Sequence, residues 1–124
     1  MKNSILLTLL ILILSFSCKN QNKNSTEHMV ILTAPSFKED ISNGNVQLID
    51  VRTPEEYNDG HIQNAVNIDF LSDDFSDKFD SFDKDEPLYI YCRSGNRSQK
   101  AAKKLSEMGF DIIYDLKGGY LNYE

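Results

Sequence analysis

The chain has 124 residues, which is room for one domain. It carries 13 basic and 19 acidic residues, so its formal net charge is −6. This acidic balance argues against binding to nucleic acid or to an anionic membrane surface.

The first 17 residues are typical of an export signal. Lys2 gives a basic start, residues 5–14 are apolar except for Thr8, and small residues then lead to Cys18. The apolar run is shorter than the roughly 20 residues that cross a bilayer. It also lacks the polar face that a core helix would show. We therefore expect residues 1–17 to be a signal peptide.

Cys18 and the three residues before it resemble the lipobox of bacterial lipoproteins, in which the cysteine is lipidated and the signal is cut before it. Ser15 stands where that motif usually has Leu, Val or Ile. The alternative is an ordinary signal peptide with an incidental cysteine nearby. The polar residues that follow favour a lipidated Cys18 and a tether over residues 18–27. The acyl chains alone would hold the protein on a membrane.

Lipidation of Cys18 would place the protein in a bacterial cell envelope, facing the periplasm. Loss of residues 1–17 would remove Lys2 and no acidic residue, which changes the net charge from −6 to −7. Cys92 would then be the only free thiol of the mature chain. An exported protein with one unpaired cysteine indicates a reactive thiol.

After the tether, short apolar runs alternate with helical patterns, as in an α/β domain with a largely parallel sheet. Strands are predicted over residues 29–32, 46–51, 65–68, 88–91 and 112–116. Helices are predicted from Thr33 or Ala34 to a stop at 43–44, from Thr53 to a stop at 58–60, over 73–82 and over 98–108, with a short final segment at 120–123. Thr53 is expected to cap the second helix, with Pro54 at its first position.

Cys92 lies at the carboxyl end of a predicted strand, and a turn rich in Gly, Ser and Asn leads from it into a helix. Ligands bind at that edge of open α/β sheets. We expect the N–H groups of the turn to form an anion nest beside the positive end of the helix, with Ser98 as the cap. These features favour the thiolate of Cys92, whereas a buried, inert cysteine is the alternative.

The same electropositive turn is expected to hold a small oxyanion beside the sulfur. Arg93 and Arg97 are the candidates to orient it, because a guanidinium matches sulfur or phosphorus oxyanions bidentately. The candidate binding residues are Arg93, Ser94, Gly95, Asn96, Arg97 and Ser98.

Three segments resemble the rhodanese family: residues 48–68 its first signature, 92–98 its active-site loop and 116–120 its closing motif. The resemblance implies one α/β domain over residues 28–124, with about five mostly parallel strands flanked by helices. It implies that Cys92 takes a sulfane sulfur from a donor such as thiosulfate, forms a persulfide, and passes the sulfur to cyanide or a thiol. The implied partners are a small sulfur-containing anion and a thiol acceptor, without a cofactor, and a domain this small is expected to be a monomer.

The first signature is read mainly as structure. Asp50, Arg52 and one of Glu55 or Glu56 lie close together beside a buried strand, where charged groups pair and bind loop backbone. Alternatively, Arg52 lines the mouth of the pocket. His61 is expected to be a hydrogen-bonded anchor, and no metal site is expected, since the two histidines lack ligand spacing.

Two positions depart from the family pattern. Asn64 replaces a common Gly, so we expect the turn before the third strand to differ slightly. Tyr123 stands where Trp is frequent, so the closing helix is expected to be minimal. Neither position lies in the cysteine loop.

Other functions fit the loop less well. Cysteine phosphatases resemble one another in a longer loop with Arg six positions after Cys, where this chain has Ser98, with Arg97 at five. This shorter loop disfavours a phosphatase or an arsenate reductase. A thioredoxin-like enzyme would need a second cysteine at the position of Gly95. A purely structural binding domain has no need of the thiol. A persulfide carrier or sensor without turnover remains open, because the same cysteine serves both.

Overall fold

The computed structural model describes residues 28–124, in which five strands and three α-helices alternate along the chain. The strands are β1 (Met29–Leu32), β2 (Gln47–Asp50), β3 (Val66–Asn67), β4 (Leu88–Tyr91) and β5 (Ile113–Leu116). The α-helices are α1 (Ala34–Ser42), α2 (Pro54–Asn58) and α3 (Asn96–Glu107), and two 3₁₀ helices span Asp77–Phe79 and Tyr120–Asn122. The signal peptide and tether predicted for residues 1–27 lie outside the described residues.

The strands form one sheet in the order β1-β5-β4-β2-β3, and every pairing is parallel. The predicted α/β fold with about five mostly parallel strands is confirmed. Parallel order brings the carboxyl ends of β2 and β4 to one edge of the sheet, so Asp50 and Tyr91 are register partners. The loops that follow these two strands therefore meet at the edge where ligands bind in such sheets.

Two apolar layers cover the two faces of the sheet. Side chains alternate along β4, so that Leu88 and Ile90 face α3 while Tyr89 and Tyr91 face the layer of α1. Cys92 continues the alternation on the α3 side. Because all four β4 residues are buried, the strand fixes the position of Cys92 rigidly.

The helix predicted over residues 73–82 is wrong. This segment consists of turns and the single 3₁₀ helix Asp77–Phe79. Phe75 and Phe79 are both fully buried, which produces the four-residue spacing of a helix face. The segment also contains four Asp and two Ser, whose side chains compete for backbone hydrogen bonds and favour turns over helix.

Asn64 adopts a left-handed φ of 67°, a conformation that glycine reaches without strain and that Asn tolerates better than most residues. The backbone at this position therefore has the geometry expected of the glycine it replaces. Within residues 28–124, no helix is long and apolar enough to cross a bilayer.

Candidate active site

Cys92 sits directly after β4 and is 1% exposed. Its Sγ accepts a hydrogen bond from the backbone N–H of Gly95 at 3.0 Å. The Oγ of Ser98 lies 3.4 Å from the same sulfur. Gly95 has a left-handed φ of 101°, which turns its N–H back toward the sulfur and which other residues rarely adopt. The loop thus closes around Sγ.

Helix α3 starts at Asn96, and its N-cap is Gly95, so the predicted cap at Ser98 is wrong. Ser98 lies in the first turn instead, fully buried, with its hydroxyl directed at Cys92 rather than at the helix backbone. The first N–H groups of a helix have no acceptor within it and carry a partial positive charge. This end of the 12-residue helix is next to the sulfur.

The closing turn after β5 holds the carbonyl side of the loop. The N–H of Tyr120 donates to the carbonyl of Cys92 at 2.8 Å, and that of Leu121 donates to the carbonyl of Arg93 at 3.1 Å. A Cβ on Gly119 would lie 2.5 Å from the Arg93 carbonyl and 2.6 Å from that of Cys92. Only glycine permits this approach, and the turn thereby binds the Cys92 and Arg93 carbonyls on the side of the loop away from the Gly95 N–H that donates to the sulfur.

Arg97 forms a bidentate ion pair with Glu56, with both N–O distances at 2.7 Å. Hydrogen bonds from Arg97 outweigh burial and lower the pKa of Glu56 to about 2, while Glu56 raises the pKa of Arg97. Glu56 also forms the capping box of α2 with Thr53, as expected of the Thr53-Pro54 helix start. The pair therefore ties the cysteine loop to the loop after β2.

Arg93 is exposed, and no described residue forms an ion pair or hydrogen bond with its guanidinium. It remains available to a ligand. Ser94 and Asn96 are also exposed on the loop. Of the two predicted anion-orienting arginines, the structure leaves Arg93 uncommitted and engages Arg97 with a carboxylate.

Asp50 and Arg52 form a buried ion pair at 2.6 Å, and Arg52 also donates to the carbonyl of Gly60 at 2.7 Å. Burial opposes the charge of Arg52, but hydrogen bonds and Coulomb attraction from Asp50 raise its pKa overall. The guanidinium stacks under the Tyr120 ring, 4.3 Å from its centroid. Arg52 thereby packs against Tyr120 and stabilises the turn after β5.

His61 is exposed, stacks on the Tyr57 ring with 3.7 Å between centroids, and uses Nδ1 toward the Tyr57 carbonyl at 2.9 Å. It connects α2 to the following turn. Among residues 28–124, no group of three His, Cys, Asp or Glu side chains is arranged to hold a metal ion.

Asp115, on β5, was not singled out from the sequence. It is 0% exposed, and neither carboxylate oxygen has a hydrogen-bond partner among the described residues. Burial raises its pKa to about 6, although the nearby Ser98 hydroxyl and the Leu116 N–H act in the opposite direction. The available signal was a single acidic residue within a strand that is otherwise predicted to be buried.

This arrangement can stabilise negative charge on sulfur at the end of a buried strand. The N–H of Gly95 donates to Sγ, the N-terminus of α3 lies next to it, and Arg97 attracts a negative charge on Cys92 electrostatically. The chemistry that fits is nucleophilic attack by a thiolate.

The rhodanese-like domain family matches residues 33–124, and the chain belongs to this family. Thiosulfate sulfurtransferase GlpE of Shewanella oneidensis is 39% identical over 75 residues, which cover 60% of this chain and 72% of that protein. GlpE of Pseudomonas aeruginosa (strain PAO1) is 34% identical over 87 residues, covering 70% and 77%. The tRNA uridine(34) hydroxylase of Pelagibacter ubique is 32% identical over 89% of this chain, but over only 35% of its own length.

Solved structures have the same fold. A rhodanese-like domain protein from Staphylococcus aureus superposes with a TM-score of 0.68 at 34% identity, covering 76% of this chain and 90% of that one. Reduced CoADR-RHD from Bacillus anthracis gives a TM-score of 0.68 at 30% identity, covering 77% of this chain and 16% of its own. The family is thus found both as a separate protein and as part of longer chains.

Proposed function

We propose that the protein is a sulfurtransferase that moves a sulfane sulfur from a small anionic donor to a thiophilic acceptor through a persulfide on Cys92. The observation that carries the proposal is the hydrogen bond from the Gly95 N–H to Sγ, within a loop whose carbonyls are bound elsewhere. The names of the GlpE relatives support thiosulfate as a donor to test.

The reaction has two displacements. The Cys92 thiolate attacks the outer sulfur of thiosulfate, a new S–S bond forms, the old one breaks, and sulfite leaves with the electron pair. An acceptor such as cyanide or a thiolate then attacks the terminal persulfide sulfur and regenerates the Cys92 thiolate. Covalent catalysis of this type divides one difficult transfer into two easier ones. The loop N–H groups would stabilise the terminal persulfide charge in both steps.

Arg93 is the proposed substrate-orienting residue, because it follows Cys92 in the loop, is exposed, and forms no ion pair with another described residue. Arg97 is proposed to act on the loop through its pair with Glu56, adding positive charge near the sulfur at longer range.

The test is thiocyanate production from thiosulfate and cyanide by the full chain carrying Cys18→Ser, so that Cys92 is the only thiol. Turnover that disappears in Cys92→Ser supports the proposal, because Ser keeps the size of the side chain but lacks the thiolate. Arg93→Ala is expected to raise KM for thiosulfate with a smaller change in kcat. A folded protein without turnover, but with one added sulfur atom on Cys92 by mass spectrometry, would indicate a carrier or sensor instead.

We also propose that residues 1–17 are a lipoprotein signal peptide, that Cys18 is lipidated, and that residues 18–27 tether the domain in the bacterial envelope. The basic start, the apolar run and the small residues before Cys18 support this proposal. Metabolic labelling with palmitate tests it. Label and membrane association should disappear together in Cys18→Ser and persist in Cys92→Ser, whereas an unlabelled wild type would refute lipidation.

A further inference from the structure

Helix α3 carries a large share of positive charge for a chain whose net charge is −6. Residues 96–107 contain four basic side chains and one acidic side chain, and Arg93 precedes them in the cysteine loop. Residues 69–86, which we call the acidic segment, have the opposite balance, with eight acidic and two basic residues. Charge is therefore separated on the surface, and the positive part includes the helix that begins beside Cys92.

The exposed side of α3 forms a cationic face that begins at the cysteine loop. Lys100, Lys103 and Lys104 are exposed and lie three or four residues apart, so they share one side of the helix. At a rise of about 1.5 Å per residue, they lie about 6–12 Å along the axis from Asn96. Together with Arg93 they make up the cationic face, and no described residue forms an ion pair with any of the four.

Two large apolar side chains are exposed at the same edge of the sheet. Leu121 is 63% exposed, and its N–H donates to the carbonyl of Arg93, so it lies next to the cysteine loop. Leu71 is 64% exposed and follows Phe70, whose N–H donates to the carbonyl of Val51, directly after β2. These are the two most exposed large apolar side chains in the described part of the chain. Cyanide and thiosulfate have no apolar group that would cover them.

Apolar side chains beside a charged rim are typical of a surface that binds a protein. We propose that the cationic face, with Leu71 and Leu121, docks an acidic protein whose cysteine thiolate accepts the sulfur from Cys92. The inference names the acceptor class of the proposed function and rests on the Cys92 persulfide. The thiolate of the acidic protein attacks the terminal persulfide sulfur and forms a new S–S bond with it. The S–S bond at Cys92 breaks, and its electron pair returns to Sγ as the thiolate.

The position of the acidic segment favours a compact protein over a membrane or a nucleic acid. Nζ of Lys104 lies 5.5 Å from the ring centroid of Phe75, so the cationic face adjoins the acidic segment. A broad anionic surface that covers α3 would also meet the carboxylates of this segment, and like charges repel. A partner of limited size can cover the lysines and the cysteine loop while the acidic segment stays in solvent. Complementary charge would also speed its encounter with the protein.

Docking can be measured without sulfur transfer. The probe is a synthetic peptide of glutamate, glycine and two leucines with one central serine, and the control peptide has Gln in place of every Glu. The protein is the full chain carrying Cys18→Ser, observed through its amide resonances by NMR. The acidic peptide should shift resonances of α3 and of the residues around Leu71 and Leu121, and the shifts should weaken at about 300 mM salt.

Two charge reversals separate the cationic face from net charge. Lys100→Glu should weaken binding of the acidic peptide about tenfold. Lys84→Glu changes the net charge equally, but Lys84 lies four residues before β4, at the opposite edge of the sheet from Cys92, and should change binding less than about twofold. Equal affinity for the two peptides, or equal effects of the two substitutions, would overturn the proposal.

Transfer is then measured with the central serine of each peptide replaced by cysteine. The Cys18→Ser protein is loaded with thiosulfate, and loss of the Cys92 persulfide is followed by mass spectrometry. The acidic peptide should accept sulfur about tenfold faster than the Gln peptide. Lys100→Glu and Leu71→Ser should each slow transfer to the acidic peptide at least about threefold and leave transfer to cyanide unchanged. An equal loss with both acceptors would overturn the proposal, because the substitutions would then act on Cys92 itself.

Failure of the proposed function has a different signature. A protein that takes up no sulfur from thiosulfate but binds the acidic peptide on α3 would refute the acceptor role and support the docking surface. Binding to vesicles of equimolar phosphatidylserine and phosphatidylcholine that falls in Lys100→Glu, but not in Lys84→Glu, would assign the cationic face to a membrane. A dimer in sedimentation velocity that is lost in Lys100→Glu would assign it to a second copy of this chain. Either of these last two results would overturn the proposal.

Discussion

Replacement of Asp115 by Asn should stabilise the protein at neutral pH and have little effect in acid. The folded carboxyl has a pKa near 6 against 3.8 in the ordinary state, because burial opposes ionisation. Because the folded-state pKa lies above the unfolded value, the contribution of Asp115 to the free energy of unfolding is fully present below about pH 4. It is lost as the pH rises through 6. At about 1.4 kcal/mol for each pH unit between the two values, the loss above pH 7 is about 3 kcal/mol.

Asn has nearly the same shape as Asp but does not ionise, so Asp115→Asn isolates the destabilisation that comes from ionising the buried carboxyl. Urea denaturation at pH 7.5 and at pH 4 gives the free energy of unfolding for both proteins. The variant should gain about 3 kcal/mol at pH 7.5 and less than about 1 kcal/mol at pH 4. An equal difference at both pH values would refute the reasoning, because it would show that shape or hydrogen bonding matters, and not the buried charge.

Three further substitutions test the supports of the site. Glu56→Gln should lower the free energy of unfolding by about 1–2 kcal/mol at pH 7 and remove a loss of stability between pH 4.5 and 2, because the pKa of Glu56 is depressed by Arg97. Gly119→Ala should leave the far-UV circular dichroism spectrum intact but reduce kcat/KM for thiosulfate about 10²-fold, since its Cβ would displace the cysteine loop. Asn64→Ala should cost about 1 kcal/mol in urea denaturation, whereas Asn64→Gly should not.

A specific outcome would contradict each of these three predictions. An unchanged acid profile in Glu56→Gln would mean that the carboxylate does not contribute to stability through its ion pair. Full activity in Gly119→Ala would show that the closing turn can move without disturbing the loop. Equal stability of the Ala and Gly variants at position 64 would argue against a required left-handed backbone.

The sequence was informative where local chemistry decides structure. Strand β4 and its junction with the cysteine loop follow from an apolar run that ends in a polar, glycine-containing turn, and the Thr53 cap follows from its hydroxyl and the proline after it. The helix over 73–82 failed because buried phenylalanines in consecutive turns imitate helical spacing.

The pairing of distant residues could not be predicted from the sequence. Glu56 and Arg97 are 41 residues apart, and nothing in either local pattern selects the other as partner. Asp115 lay within a predicted strand, but its lack of a partner depends on the packing of α3 above it. Ser98 was expected to cap a helix because Ser is a preferred N-cap residue. The actual N-cap is Gly95, which has a left-handed backbone and no side-chain cap hydrogen bond.

The parallel sheet also determines how the chain must fold. Strand β1 pairs with β5, so that Met29 lies opposite Ile113, and no two strands of the sheet are joined by a tight hairpin. Each pairing must close a long loop before it gains any stabilisation, and such long-range parallel pairings fold more slowly than helical bundles do. The cysteine loop follows β4, the central strand of the sheet, and the carbonyls of Cys92 and Arg93 accept hydrogen bonds from the turn after β5. The thiolate environment should therefore appear late in folding, with the newly made chain passing through a stage in which Cys92 is an ordinary, solvent-exposed thiol.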